Sequence, residues 1–543
     1  MINHFLKILL IVGCFYSSQL LLAQDNLVLG GGFQLNGNVF LRDSAIGAAN
    51  IPQYDHQIYG GESWFELNAS YLGFNGGLRY DAFNNSNLLN PQGSYTAHGI
   101  GKWYLNKSID KLDLSVGYIY DQIGSGIIYR AYEERAQLID NALIGAAAKW
   151  NFNPNWSVRG FVGKQRNLFS SYNSNLKGFA LNGFYQMSDT ASRSISPGFG
   201  FVNRTLDESI VSELAAIIGS YEPVDQFKPF YNSNAFSVFN TLSWKDITWY
   251  AEYALKPNDL FYDPNAERAL PKGQTSLGKL VKQSGSVAYS SISYAAHGFG
   301  ITLEAKRTEG MDFRAEPLLS LNKGLINFIP PMAKINTYRL LALYYPATQF
   351  LDELAYQADI RYGLKKWNVS LNYSDIRDLT FKRQFYNEIY SEISYKEPEK
   401  YTATVGVQRQ IFDVEKYYGK GGAKVVKTIT PFVEFLYKIS HSKSIRTEMQ
   451  YMHNPTDIGS YVNALLEVGI APRWLFEVAD MYNIKPVKGS KLNYPSAGIS
   501  YSQGANRFGL RYVKQLAGIV CSGGICRLEP AFSGFRASIN SNF

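Results

Sequence analysis

The chain has 543 residues, with 53 Lys and Arg against 45 Asp and Glu and a formal net charge of +8. These charges are spread along the sequence, which favours a solvated surface over nucleic-acid binding. No run of about 18 or more apolar residues occurs, so helical membrane spans are excluded. The chain is too long for an ordinary soluble domain, yet no linker or shift in composition divides it.

Aromatic residues and glycine are abundant, with 39 Tyr, 33 Phe and 47 Gly, at a mean hydropathy near zero. This combination suits many short strands whose two faces meet different solvents. A large soluble β-sandwich array or propeller shares such a composition, but it would show an internal repeat, and none is found. The composition therefore favours an all-β protein, a large antiparallel transmembrane β-barrel.

The first 23 residues are predicted to be a signal peptide. Lys7 supplies a positive start, residues 8–15 are mostly apolar, and Ala23 precedes a cleavage site before Gln24. A second interpretation makes Cys14 the acylated first residue of a lipoprotein. The apolar residues 20–22 beyond Cys14 fit a continuing signal better than a lipoprotein tether. Residues 24–543 are then predicted to form the barrel.

The densest polar segment, residues 121–141, follows an alternating strand at 112–120. Gly124 and Gly126 allow a tight bend. Charged side chains cannot face lipid without a large penalty, so those of this segment are candidates for a brace or constriction in the lumen. A solvated loop with ordinary surface ion pairs is the alternative. The candidate residues are Asp121, Arg130, Glu133, Glu134, Arg135 and Asp140.

Further along the chain, Asp207 is predicted to cap a helix whose apolar face includes Ile210 and Leu214, with Gly219 as its end. Residues 247–255 alternate as a strand. Residues 311–331 do not alternate, and they contain Arg314, another candidate lumen residue.

The two non-alternating polar segments resemble those of an uncharacterised group of Bacteroidota outer-membrane barrels. The matching residues are Gly-Ser-Gly at 124–126, Tyr-Glu-Glu-Arg at 132–135, Ile-Asp-Asn at 139–141, and Met-Asp-Phe-Arg at 311–314 with 327–331. With the signal and the last strand, the resemblance covers about a quarter of the chain. It implies an outer-membrane barrel but no activity, because none is established for the group. Folding of both segments into the lumen would explain why neither alternates.

Short and long connections should alternate around a barrel. Short turns are predicted at 153–155, 245–246, 364–366, 440–442, 471–473 and 504–506, and long loops at 413–424, 485–493 and 519–530. The alternation of short and long connections, followed from each end of the chain, disagrees near residues 311–335. Either a strand is miscounted or that segment is not part of the wall. The pattern predicts about 24–26 strands, closed because lipid cannot satisfy an open edge. An even number would place both termini in the periplasm.

Cys521 and Cys526 are the cysteines that remain after the signal, with Ser-Gly-Gly-Ile between them. An oxidising envelope would allow a disulfide between them. A metal site would need further ligands, and no His lies nearby in the sequence. The disulfide is therefore favoured, and no metal or cofactor is predicted.

Residues 531–543 alternate between two faces and end on an aromatic residue. Phe535, Ile539 and Phe543 share the apolar face, while Arg536 and Asn540 share the polar one. The pattern resembles the closing strand of bacterial outer-membrane barrels, where the terminal aromatic strand is the signal for the barrel-insertion machinery. The resemblance implies that machinery and outer-membrane lipid as partners.

No enzyme is expected, because the six histidines are scattered and no metalloprotease, nucleophile-elbow or phosphate-loop motif occurs. The leading prediction is a channel for small solutes, narrowed by residues 121–141 and 311–331. The alternative is a plugged barrel that serves as an accessory or scaffold subunit of an envelope assembly or secretion complex. A third possibility is a barrel-wall enzyme built from Ser, His and Asp of separate strands.

Overall fold

The structure, a computed structural model, describes residues 27–90, 92–187, 193–320, 323–347, 349, 351–522 and 525–543. The predicted signal peptide at 1–23 and Cys14 lie outside the described residues. The wall is a closed barrel of 24 antiparallel strands, within the range predicted from the turns. The first strand pairs with the second and also with the last, Gly32 lying opposite Asn542, and this pairing closes the sheet on itself.

The strands follow one another around the wall in chain order. The first group is β1 (Val28–Phe40), β2 (Tyr59–Tyr71), β3 (Phe74–Ser86), β4 (Tyr95–Ile109), β5 (Leu112–Ile119), β6 (Leu143–Asn153), β7 (Trp156–Asn167), β8 (Ser170–Gly183, continued by Tyr185–Gln186), β9 (Arg193–Thr205), β10 (Asn232–Trp244), β11 (Ile247–Ala269), β12 (Thr275–Ala296) and β13 (Phe299–Glu309). The second group is β14 (Glu353–Leu364), β15 (Trp367–Asp378), β16 (Gln384–Glu397), β17 (Tyr401–Phe412), β18 (Val426–Ser440), β19 (Lys443–Met452), β20 (Ser460–Ile470), β21 (Trp474–Lys485), β22 (Asn493–Gln503), β23 (Asn506–Gln515) and β24 (Phe532–Asn542).

Alternation along the strands separates an apolar outer face from the lumen, as predicted. On β15, Trp367 and Tyr373 are exposed on the outside, whereas Asn372 and Ser374 are buried inside. The predicted strand at 112–120 is one residue too long. β5 ends at Ile119, and the Tyr120 hydroxyl donates to Asp140 (3.1 Å) inside the barrel.

Short turns cluster at one end of the barrel, called the turn end. The other end, called the loop end, carries the long loops together with the short turn at 168–169. The six predicted short turns all lie at the turn end. Another turn there, His297-Gly298, has φ of +51° and +80°, the left-handed conformation of a two-residue hairpin. The disagreement near 311–335 disappears because residues 310–352 form one loop-end connection between β13 and β14. That segment is not part of the wall.

Two short helices belong to the loop end. Helix α1 (Glu208–Gly219) begins after Asp207, whose carboxylate accepts from the Ser209 N–H (3.0 Å) as predicted. Its apolar face packs against Leu260 and Leu280 of the long strands β11 and β12. Helix α2 (Val414–Tyr418) follows β17. None of the helices within the described ranges is long and apolar enough to cross a membrane.

Two loop-end connections fold into the lumen. They are named insert A (residues 120–142) and insert B (the described residues between 310 and 352). Ile123, Ile127 and Ile128 of insert A are fully buried against Leu176 and Val202 of the wall. The inner face of the wall is therefore not wholly polar on this side, because apolar wall residues there meet the inserts instead of water.

Insert B continues into a second apolar core near the loop end. Its Leu340 and Tyr344 are buried with Phe412 and Phe532 of the wall. The Tyr344 hydroxyl also donates to Asp457 (2.8 Å) in the connection after β19. Because apolar burial and hydrogen bonds act together, both inserts are fixed parts of the folded barrel.

Candidate functional site

Insert A consists of two small hairpins inside the lumen, which pair Asp121–Ile123 with Tyr129–Ala131 and Glu133–Glu134 with Ile139–Asp140. The bend after the first strand depends on Gly124, whose φ is +55°, a conformation that favours glycine. The next residue, Ser125, donates from its N–H (2.8 Å) and its hydroxyl (2.6 Å) to the carboxylate of Glu252 on β11. The wall thus holds the bend directly.

An ion cluster joins insert A to the wall and is centred on Arg79 of β3, whose side chain is 1% exposed. Arg79 forms two hydrogen bonds to Asp81 on its own strand (2.7 and 3.0 Å). It also donates to Glu133 (2.6 Å) and Asp140 (3.3 Å) of insert A. The Arg79 cluster is defined as Glu66, Arg79, Asp81, Glu133, Arg135, Asp140 and Arg166.

The remaining members make the cluster continuous across three wall strands. Arg166 of β7 pairs with both Asp81 (3.1 Å) and Asp140. Arg135 of insert A pairs with Glu133 (3.0 Å) and with Glu66 of β2 (3.4 Å). Charge-assisted bonds of this kind are about twice as strong as neutral ones, so they fix both the height and the orientation of insert A.

The pKa values of two carboxyls of the cluster shift in opposite directions. Burial raises the pKa of Asp140 above its usual value, and the charges of Arg166 and Arg79 only partly offset this effect. Burial also opposes ionisation of Glu133, but attraction to Arg79 and Arg135 outweighs it, so the pKa of Glu133 is lowered. The fold thus favours the charged form of Glu133 and disfavours that of Asp140.

Glu133→Gln is expected to lower the free energy of unfolding at neutral pH by about 1.5–3 kcal/mol, and Asp140→Asn by less. The stabilisation from Glu133 is present above its unfolded-state pKa and is lost as the pH falls through its lowered folded-state pKa. The loss of unfolding free energy caused by Glu133→Gln should therefore disappear in acid. Urea unfolding in detergent at neutral and acidic pH measures it, and a larger cost for Asp140→Asn would contradict the assignment.

The other predicted residues of insert A lie apart from the Arg79 cluster. Asp121 pairs with Arg159 of β7 (2.5 Å). The Arg130 guanidinium lies over the rings of Tyr132 (4.6 Å) and Phe328 (4.2 Å), a cation–π contact that joins insert A to insert B. Glu134 lies beside Glu133 on the same short strand.

The two inserts also bond to each other through their backbones. The Arg130 N–H donates to Ile326 O and the Phe328 N–H to Gly126 O, both at 2.9 Å. The Asn141 side-chain amide bridges Arg130 O and Leu325 O, each at 3.0 Å. Insert A and insert B therefore form one body inside the lumen.

A second ion cluster, the Asp259 cluster, consists of Arg204, Ser233, Lys256 and Asp259. The Asp259 carboxylate of β11 accepts from Arg204 (2.6 Å), Lys256 (2.7 Å) and Ser233 (2.7 Å), and its side chain is fully buried. Arg204 donates onward to Arg314 O (2.8 Å) and Lys256 to Asp312 O (2.5 Å) of insert B.

Arg314, predicted from the sequence, is itself buried and pairs with Asp312 (2.9 Å). Sequence reasoning missed the wall residues that meet the inserts, such as Arg79, Arg166 and Asp259. Charged residues at lumen-facing positions, such as Arg79 and Asp81 two residues apart, are the signal that could have identified them.

The disulfide and the insertion signal stay predictions. Cys521 and Cys526 lie opposite each other in the backbone register of a loop-end hairpin. Phe543 exchanges backbone hydrogen bonds with Gly31 (2.8 and 3.1 Å), and its ring stacks on Phe65. Within the described ranges, no group of His, Cys, Asp and Glu is arranged to hold a metal ion.

Beside the inserts, a cavity of about 820 Å³ follows the wall from β19 through β24 to β1. Its lining runs along β23 from Arg507, next to the turn end, to Gln515 at the loop end. Insert B contributes Thr337 and Arg339 to the opposite side. The lumen is therefore only partly filled.

Comparison with solved structures finds barrels of the outer-membrane type. The P pilus usher (PapC) translocation pore is 9% identical with a TM-score of 0.41, covering 95% of this chain and 99% of that one. The siderophore receptor PirA from Pseudomonas aeruginosa is 10% identical with a TM-score of 0.39, covering 95% and 80%. A ferric enterobactin receptor (PfeA) mutant from the same organism is 9% identical with a TM-score of 0.42, covering 95% and 80%.

At these scores the likeness concerns the barrel fold alone. The comparison with curated proteins finds no match. One family model matches residues 1–543, and the chain therefore belongs to DUF6029, a family of unknown function.

Proposed function

We propose that this protein is an outer-membrane passage for small solutes, in which the solute moves through the cavity between the inserts and the wall from β19 to β1. The observation that carries the proposal is the extent of the cavity, whose lining reaches from Arg507 near the turn end to Gln515 at the loop end. The inserts occupy part of the lumen, which favours selective entry over free diffusion through a wide pore.

The charged lining supports the same proposal. Arg446, Glu467 and Arg511 face the cavity from β19, β20 and β23, and a conducting lumen is polar. In the proposal the turn end faces the periplasm and the loop end the exterior, as short turns and long loops do in bacterial outer-membrane barrels. Export would use the signal peptide, and insertion would use the last strand with Phe543.

Filling the cavity should close the passage. Ser538 lines the cavity on β24, and Ser538→Trp is expected to lower the planar-bilayer conductance several-fold because the indole occupies the free space. Ser370→Trp is the matched control, since Ser370 lies on β15, outside the cavity lining. An unchanged conductance for Ser538→Trp, or equal losses for both variants, would contradict a path through this cavity.

A sealed barrel that serves as an accessory or scaffold subunit is the second candidate. The observation that favours it is the apolar closure of the loop end, where the rings of Phe40, Tyr54 and Phe532 pack together (5.4 and 5.8 Å) beside Leu340 of insert B. If the barrel is sealed, the intact protein would pass no current, and deletion of residues 121–141 would open the lumen. Co-purification of the same envelope protein after mild detergent extraction would support the scaffold role.

A further inference from the structure

Charges of opposite sign are separated along one row of cross-strand neighbours in the cavity wall. In this row each residue lies directly opposite the next on the adjacent strand. From β19 to β24 the row reads Arg446, Glu467, Glu477, Gly498, Arg511 and Arg536. The carboxylates thus lie at one side of Gly498, and two guanidiniums lie at the other.

The arrangement places like charges next to each other, which a sheet otherwise avoids. Glu467 lies opposite Glu477, and Arg511 lies opposite Arg536. Like charges directly opposite on neighbouring strands are destabilising, and alternating signs along the row would avoid that cost. The separation therefore calls for an explanation other than stability of the wall.

The acidic side carries more negative charge than its own cation can balance. Arg446 is shared by Glu434 (3.0 Å), Glu448 (2.8 Å) and Glu467 (3.4 Å). One guanidinium is thus shared among three carboxylates, of which Glu448 and Glu467 line the cavity, and this leaves an excess of negative charge beside it. At the border, Glu477 is paired with Arg511 (2.7 Å).

The basic side gains a cation from insert B. Arg536 lies over the ring of Phe532 (4.1 Å) and is 3.9 Å from Glu529. Arg339 lines the same cavity and interacts electrostatically with both Glu529 and Arg536. Two guanidiniums, those of Arg339 and Arg536, therefore line the cavity at this end of the row.

We propose that the cavity selects small zwitterionic solutes, such as free amino acids and short peptides. The solute is oriented with its ammonium group towards the acidic side, where Glu467 lies, and its carboxylate towards the basic side, where Arg536 and Arg339 lie. A field between the two sides concentrates a solute that carries both charges, whereas a neutral solute of equal size gains nothing from it. The proposal rests on the proposed function, because it assumes that solutes enter this cavity.

Liposome swelling distinguishes selection of zwitterions from the proposed passage itself. Glycylglycine is the zwitterionic probe, and N-acetylglycinamide is a neutral probe of similar size. For the intact protein, glycylglycine is expected to enter about tenfold faster. In Glu467→Gln and Arg536→Gln the ratio of the two rates should fall towards one. In a KCl gradient, the reversal potential should move towards chloride selectivity for Glu467→Gln and towards potassium selectivity for Arg536→Gln.

Arg361→Gln is the matched control, because Arg361 of β14 lies outside the cavity lining and is 72% exposed. Its ratio and reversal potential should match those of the intact protein. Equal entry of the two probes through an intact protein that conducts would overturn the zwitterion proposal and leave the passage standing. No current and no swelling from the intact protein would overturn both.

Discussion

Arg79→Met is expected to lower the free energy of unfolding by about 3–5 kcal/mol, since it removes one partner from a buried ion cluster. Arg79 contacts Asp81 on the wall together with Glu133 and Asp140 on insert A. Methionine keeps much of the volume but leaves these three carboxylates with fewer cations. Urea unfolding in detergent measures the loss of stability. Larger fluctuations of planar-bilayer current should accompany it as insert A moves from the wall.

Arg361→Met is the control for this prediction. Arg361 has an ion pair with Asp359 (2.9 Å), but its side chain is 72% exposed, so the expected cost is below about 1 kcal/mol. Arg79→Lys should restore part of the stability, because it keeps the charge and loses the fork that binds Asp81 twice. Unfolding of Arg79→Met at the same urea concentration as the intact protein would show that the cluster does not hold insert A.

The wall could be predicted from the sequence because its determinants are local. A period of two places Trp249 and Tyr253 of the predicted strand at 247–255 on the outside, whatever the rest of the chain does. Short turns such as 245–246 and 504–506 then set the direction of each strand. These two signals are enough to predict an antiparallel barrel and to restrict its number of strands to a narrow range.

The positions of the inserts depend on contacts far apart in the chain, which alternation does not encode. It shows that Arg79 faces the lumen, but not that Arg79 lies at the height of Glu133 and Asp140. Nor does it show that Ile123 covers Leu176 and Val202, which allows these apolar residues to face the lumen. Closed-barrel geometry sets which wall residues an insert reaches.

The part of insert B that leaves the wall is marked in the sequence by the disagreement between the two turn counts near 311–335. The continuation of insert B to Leu340 and Tyr344 has no such mark. That stretch is rich in Leu and Tyr, and such a composition is equally typical of a strand. The charge row of the cavity was missed for a related reason, since Glu467, Glu477 and Arg511 become neighbours only once the register is known.

Asp259→Asn is expected to have an effect as large as that of Arg79→Met, about 3–5 kcal/mol. The Asp259 carboxylate is the shared partner of Arg204 and Lys256, which are 1% and 0% exposed. Asparagine preserves the shape of the side chain but removes the negative charge that two neighbouring buried cations share. Both cations also hold backbone carbonyls of insert B, at Arg314 and Asp312, so the variant should loosen insert B as well as lower stability.

Protease accessibility of insert B and urea unfolding test this prediction together. Glu309→Gln is the matched control, because Glu309 forms an ion pair with Arg307 (2.7 Å) in which both side chains are nearly half exposed. Its expected cost is below about 1 kcal/mol. In Asp259→Asn, cleavage near residues 312–330 should increase before the barrel itself unfolds. Cleavage and unfolding that match those of Glu309→Gln would mean that the apolar cores, and not the buried charges, hold insert B in the lumen.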